Sequence, residues 1–385
     1  MKKPILLLSI LLILRSASAQ DPLIQQMVST VSSDSIWSYI TTLSSQQRYS
    51  YATSDTECRE YLSGFFEQLG FDTVFFQTFQ ARRTPNIIAE LRGDSVPDSV
   101  CVIGAHYDSY ASNAPGADDN ASGTAGVMEV ARALAPHHFR YTIRFICFSA
   151  EEQGMVGSQY YVQNAVNAGD KIFSMVNIDM ISHSATGSEP PVFYLAYNTL
   201  SQGLMQKMNQ AMLDYVPGAN WMNGSNSPYA SSSDHSSFWE FGIPAIFIND
   251  CLDVNSGNFN HYIHTFNDVV GTSSNNQPLA EACARTAAAV IADLAAPTGE
   301  FPVGVAENTA AFDVYPNPAD DMITIRTRAR LSDVKLLDIQ GRTLRQIPLS
   351  GAAETCISTA DLVPGVYFLI ADAGGRTEKR VVVKR

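Results

Sequence analysis

Near the start of the chain, apolar residues recur at helical spacing over 24–32, 34–43 and 55–69, the last stretch opened by Ser54 and Asp55 and stopped by Gly70. The period then changes. Residues 74–79, 86–91 and 99–105 are short, β-rich and bounded by Gly, Pro or Asp, as strands are. From there helices are expected over 121–135, 156–168, 201–215 and 280–294, with strands over 142–149, 173–178, 192–196 and 245–248. Near-continuous apolar strands alternating with helices predict an α/β fold, a three-layer αβα sandwich with a mixed, mostly parallel sheet. Ligands of such a sheet sit beyond the carboxyl ends of its strands.

The two ends differ from this middle. Residues 1–19 carry Lys2 and Lys3, an apolar run over 4–14 and then Ala17-Ser18-Ala19, the layout of a signal peptide whose removal would start the mature chain at Gln20. No later stretch reaches the roughly 20 apolar residues of a membrane helix, so no transmembrane anchor is expected. Residues 297–305, rich in Pro and Gly, read as a linker after a domain over 20–296. Short strands expected over 312–315, 322–327, 333–338, 344–348, 354–358, 366–371 and 376–384 predict a small all-β sandwich domain at 306–385.

Composition sharpens this division. The chain has 385 residues, 45% of them hydrophobic, enough for more than one core. Its formal charge is −13, but residues 1–19 carry +3 and residues 305–385 carry +1, leaving −17 in the middle. Such a surface argues against nucleic acid as a partner. The six cysteines do not form a framework for a chain of this length: Cys101 and Cys147 lie inside apolar strands, Cys356 stands alone at the C-terminal end, and a bridge among Cys58, Cys251 and Cys283 stays open.

The polar residues gather where the fold rule places sites. The third strand ends in Gly104-Ala105-His106-Tyr107-Asp108-Ser109, and Gly116-Ala117-Asp118-Asp119-Asn120-Ala121-Ser122-Gly123 precedes a helix. The strand over 142–149 runs into Glu151-Glu152, the strand over 173–178 into Asp179, and a later loop carries His261 and His264. Each alone has a structural reading, as an N-cap, a solvated carboxylate or a hydrogen-bonded histidine. Together, several carboxylates at one edge require a compensating cation, and carboxylates mixed with imidazoles suit zinc.

These motifs, GAHYDS, GADDNASG, FSAEEQG, NIDM and the HTFND region, resemble in identity and order the secreted zinc aminopeptidases of peptidase family M28, over roughly residues 23–296. The resemblance implies two Zn2+ ions per chain, with Asp118 bridging them, His106 and Asp179 completing one shell, and Glu152 and His264 the other. It makes Glu151 the general base on a metal-bridging water and Asp108 the residue orienting His106. Asp119 is expected to hold the bridging aspartate through a cis peptide between the two. Tyr229 is the candidate oxyanion donor. His235 is expected to brace the site, and Asn249, Asp250 and residues 259–266 to shape the pocket. The predicted partners are peptides with a free N-terminus, and a monomer is expected.

The C-terminal segment resembles the type A sorting domains of the type IX secretion system, through Val314-Tyr315-Pro316-Asn317-Pro318-Ala319, Leu337-Asp338-Ile339-Gln340-Gly341-Arg342, Leu362-Val363-Pro364-Gly365-Val366-Tyr367 and a basic end. It implies the secretion machinery as a partner and a secreted or cell-surface location. Within the same fold, the alternatives are a one-zinc glutaminyl cyclase, against which the intact Asp118-Asp119 pair speaks, and a carboxypeptidase or dipeptidase, for which no basic cluster accompanies the motifs. A non-catalytic binding protein on this scaffold would be expected to have lost Glu151 or a ligand.

Overall fold

The structure is a computed structural model. It describes residues 20–51, 56–79, 83–185, 187, 191–300, 312–315, 319–327, 333–337, 342–348, 354–363, 365–372 and 377–384. The expected signal peptide lies outside these residues, as do parts of the C-terminal motifs.

The chain divides into two compact units, 1–301 and 302–385. In the first, ten strands run in chain order: β1 (Thr73–Gln77), β2 (Asn86–Leu91), β3 (Val96–His106), β4 (His137–Phe139), β5 (Tyr141–Phe148), β6 (Lys171–Ile178), β7 (Val192–Tyr197), β8 (Asn220–Asn223), β9 (Ala245–Asn249) and β10 (Pro297–Glu300). Eight of them form one sheet in the order β1-β2-β5-β3-β6-β9-β7-β8. β5, β3, β6 and β9 are parallel neighbours, so their carboxyl ends share an edge. The flanking pairs β1–β2, β2–β5 and β7–β9 are antiparallel. The sheet is therefore mixed around a parallel centre, as expected.

Eight helices accompany it: α1 (Pro22–Thr30), α2 (Ser33–Ser44), α3 (Thr56–Gln68), α4 (Gly123–Leu134), α5 (Val156–Ala168), α6 (Gln202–Tyr215), α7 (His235–Glu240) and α8 (Gln277–Ala295). β3 shows why both faces are covered. Cys101, Ile103 and Ala105 join one core with residues of α1 to α4, α6 and α8, while Val100 and Val102 join another with Tyr161 and Val162 of α5 and Phe238 of α7. The strand's period of two sends successive side chains into opposite layers.

The first part of the predicted linker behaves differently. Pro297–Glu300 forms β10 and pairs antiparallel with β4. All six cysteines are free thiols, so no bridge joins Cys58, Cys251 or Cys283.

The second unit is all-β among its described residues. Phe312–Tyr315, Met322–Thr327 and Glu354–Ser358 make one sheet, and Thr343–Pro348, Asp333–Leu337, Gly365–Asp372 and Thr377–Lys384 make an antiparallel second one. Phe312, Ile323 and Ile325 of the first meet Val334, Leu336, Leu369 and Val382 of the second in one core.

Candidate metal centre

His106 is the last residue of β3, Asp179 follows β6 directly, and Glu151 and Glu152 lie in the turn after β5. Three parallel neighbours thus deliver an imidazole and three carboxyl groups to one edge. Asp119 arrives from the segment before α4, where Asp119 and Asn120 leave helical geometry and are joined by a cis peptide bond. Glycine is required on both sides of this turn. Gly116 has φ +62°, and a Cβ on Gly123 would collide with the Ile178 carbonyl and the Asn120 side chain.

Asp119 offers one oxygen to each side of the site. Its Oδ1 lies 3.4 Å from His106 Nε2, and its Oδ2 lies 3.1 Å from His264 Nε2. Asp179 Oδ1 is 3.3 Å from the same nitrogen of His106, and Glu152 Oε2 is 3.2 Å from that of His264. Two clusters of candidate donors result, His106–Asp119–Asp179 and Asp119–Glu152–His264, sharing Asp119. Glu151 belongs to neither; its Oε2 stands 4.0 Å from His106 Nε2.

The aspartate shared by the two clusters is thus Asp119, one position after the residue expected to bridge. Asp118 is fully buried and points elsewhere: its Oδ1 accepts from the N–H and O–H of Ser182 at 2.9 and 2.7 Å, and its Oδ2 from Asn260 at 2.7 Å. With its oxygens engaged there, it reaches neither cluster. The cis bond likewise falls at Asp119–Asn120 rather than between the two aspartates. Asp268, the last residue of the HTFND motif, holds both backbones, a role the motif did not announce: its carboxylate accepts the N–H groups of Asp118 and Asp119 at 2.9 and 3.1 Å.

Other expected residues sit as follows. His106 Nδ1 bonds the backbone carbonyl of Asp108 at 3.1 Å, while the Asp108 carboxylate stands 3.6 Å away and accepts the Glu151 N–H. Asp179 is held by Ser233 Oγ at 2.6 Å and through its carbonyl by Asn249 Nδ2 at 2.7 Å. His235 is buried, bonds the Ala230 carbonyl at 2.9 Å and packs on Trp239 and Phe247; it belongs to neither donor cluster, and burial pushes its pKa down to about 4. His261 packs on Phe259, away from the donors. Asp250 does not line the cavity but sits behind it, accepting the His183 N–H.

The electrostatics are those of a cation site. Burial drives the Glu151 carboxyl well above its usual range, with His106 opposing and Asp234, Asp179 and Glu152 reinforcing. Burial and the Asp119 charge push Glu152 up to about 8. Burial alone would lower the imidazoles, yet Asp179 and Glu151 carry His106 well above its ordinary value, and hydrogen bonds to Asp119 and Glu152 carry His264 up to about 10. Asp119 is also buried, but His106 and His264 hold it below the usual carboxylate range. A further sign is that Asp179 Oδ1 and Glu152 Oε1, both buried, receive no hydrogen bond among the described residues. Mixed oxygen and imidazole donors with such orphaned oxygens fit zinc.

The donors floor a cavity of about 310 Å³ whose remaining wall includes Met180, Tyr229, Phe247, Asn249, Leu252, Phe259 and Ile263, with no Lys or Arg. Residues 86–291, more than half the chain, match peptidase family M28. The chain belongs to peptidase family M28. Its C-terminal unit matches the secretion system C-terminal sorting domain over residues 313–384. A probable zinc metalloprotease of Pyrenophora tritici-repentis is 37% identical over 142 residues, 35% of this M28 chain and 27% of that protein. Aminopeptidase Y of Saccharomyces cerevisiae is 32% identical over 165 residues, 42% of this chain and 29% of that one. The chain thus spans under a third of either relative. The crystal structure of the Legionella pneumophila LapA aminopeptidase superposes with a TM-score of 0.63 at 25% identity, covering 71% of this chain and 74% of that one.

A metal-free M28 chain with these pKa values holds protons that zinc must displace, because donors bind deprotonated. The contacting pair His264 and Glu152 is raised, by the carboxylates around the imidazole and by burial of the carboxyl, so the pair retains a proton near neutrality. Titrating zinc into metal-free protein at about pH 7, in buffers of different ionisation enthalpy, is expected to show proton release, with apparent affinity falling toward about pH 6. Heats that ignore the buffer would contradict this.

Proposed function

We propose that this chain is a secreted zinc-dependent aminopeptidase holding two zinc ions, one on His106, Asp119 and Asp179 and one on Asp119, Glu152 and His264. The observation carrying the proposal is the pair of donor clusters sharing Asp119, with Glu151 beside them and outside both. Zinc at such a site supplies Lewis acidity, lowering the pKa of water and polarising the scissile carbonyl. Glu151 takes the proton of the attacking water and hands it to the leaving amine; burial, which favours its protonated form, suits it to hold that proton between the two steps. Asp108 positions His106 through its carbonyl, and Ser233 and Asn249 position Asp179.

A cavity lined by carboxylates and lacking Lys and Arg favours the cationic amine end of a peptide over its carboxylate end. The apolar wall of Met180, Leu252, Phe259 and Ile263 would receive the side chain of the first residue. The sorting domain would carry the enzyme across the outer membrane. The test is release of free amino acids from unblocked aminoacyl-anilides and peptides by the zinc-loaded chain, with N-acetylated versions untouched and a chelator abolishing release. No release from any unblocked substrate would sink the proposal, and cyclisation of N-terminal glutamine in its place would make the chain a cyclase.

Tyr229 lines the same cavity, with its ring stacked on Phe259 at 6.1 Å. As oxyanion donor it acts chiefly in the transition state, so Tyr229→Phe is expected to lower kcat by about 10²-fold while KM changes little. An unchanged kcat would return Tyr229 to the pocket wall.

A further inference from the structure

We propose that Tyr110 is the positioning residue for His264: its ring, stacked on the imidazole, sets the plane in which His264 presents Nε2 to its ion. The inference rests on the two-ion reading above. The two histidines of the site are held in different ways. His106 is buried and its Nδ1 is fixed by the Asp108 carbonyl at 3.1 Å, the usual means of orienting a ligand imidazole. His264 has a side chain 43% exposed, sits at φ +62°, and among the described residues meets its ion-pair partners Asp119 and Glu152 through Nε2. Its ring lies instead on Tyr110, with centroids 4.1 Å apart and planes within 10°.

Tyr110 is itself firmly based. It follows Ser109, whose N–H donates to the Arg48 carbonyl at 3.2 Å and whose Oγ donates to the Ala111 carbonyl at 3.3 Å. The buried guanidinium of Arg48 donates to the carbonyls of Tyr107, Pro115 and Gly116 at 2.8, 2.6 and 2.6 Å, tying both ends of the loop that carries Tyr110. A parallel aromatic contact on a tethered loop restricts the tilt of a ring whose polar partners, Asp119 and Glu152, both meet it at Nε2. Four residues after supplying His106 to one ion, the chain therefore steadies the exposed ligand of the other.

The test is zinc binding, without reference to turnover. Metal-free wild type, Tyr110→Phe and Tyr110→Ala are titrated with zinc against a chromophoric chelator, and the equivalent lost in His264→Ala identifies the ion concerned. Tyr110→Ala is expected to weaken that equivalent about tenfold and leave the other within about twofold, while Tyr110→Phe restores wild-type binding of both. Unchanged affinity in Tyr110→Ala, no rescue by Tyr110→Phe, or equal weakening of both equivalents would each overturn the assignment. A wild-type chain that binds only one ion overturns the two-ion reading itself, and this assignment with it; wild type with two ions and an unaffected Tyr110→Ala overturns Tyr110 alone.

Discussion

Glu151→Gln leaves the chain folded with its zinc content unchanged and lowers kcat by roughly 10²–10⁴-fold. The amide matches the carboxyl in size, and the Glu151 N–H keeps its bond to Asp108 at 3.2 Å, so the turn after β5 is preserved. What is lost is the ability to take a proton from water. Because Glu151 stands outside both donor clusters, metal analysis and turnover should separate cleanly. A variant that lost metal along with activity would place Glu151 among the ligands and leave the proton transfer without an owner.

The second large effect distinguishes the two adjacent aspartates. Asp119→Ala removes the one carboxylate whose two oxygens face His106 and His264, so both ions are expected to lose affinity together and activity to vanish. Asp118→Asn should behave otherwise. Its new amide group would confront donors from Ser182 or Asn260 in a fully buried setting, costing about 1–3 kcal/mol of stability. Zinc content should nevertheless stay at the wild-type level. Thermal melts and metal analysis of both variants check this, and metal loss in Asp118→Asn with Asp119→Ala intact would restore the earlier residue as the bridge.

The contrast shows what could be read from sequence. The parallel centre of the sheet was readable because its strands are continuous apolar runs: those expected at 142–149, 173–178 and 245–248 lie within a residue or two of the observed bounds. Strand-end chemistry then followed from the fold rule, which brought His106, Glu151, Glu152 and Asp179 to one edge. Which aspartate the two donor clusters share was not readable. Asp118 and Asp119 are the same residue type in adjacent positions, and which one faces His106 and His264 depends on a local backbone turn and on Asp268, 150 residues from Asp118. Short edge elements escaped for a related reason. β4, β8 and β10 are three or four residues long, too short to show a period, and exist because a neighbour pairs with them. Tyr110 left no signal either, since nothing in a lone tyrosine after a strand announces a partner at position 264.

β10 bears on how the two units can part. Its pairing with β4 keeps the backbone hydrogen bonds of residues 297–300 within the first unit. A protease cutting beyond Glu300 would remove the sorting domain while leaving β10 paired with β4. The same boundary makes the tail exchangeable: a different carrier sequence joined after Glu300 inherits a finished fold, whereas one joined at 296 would strand β4 without its partner.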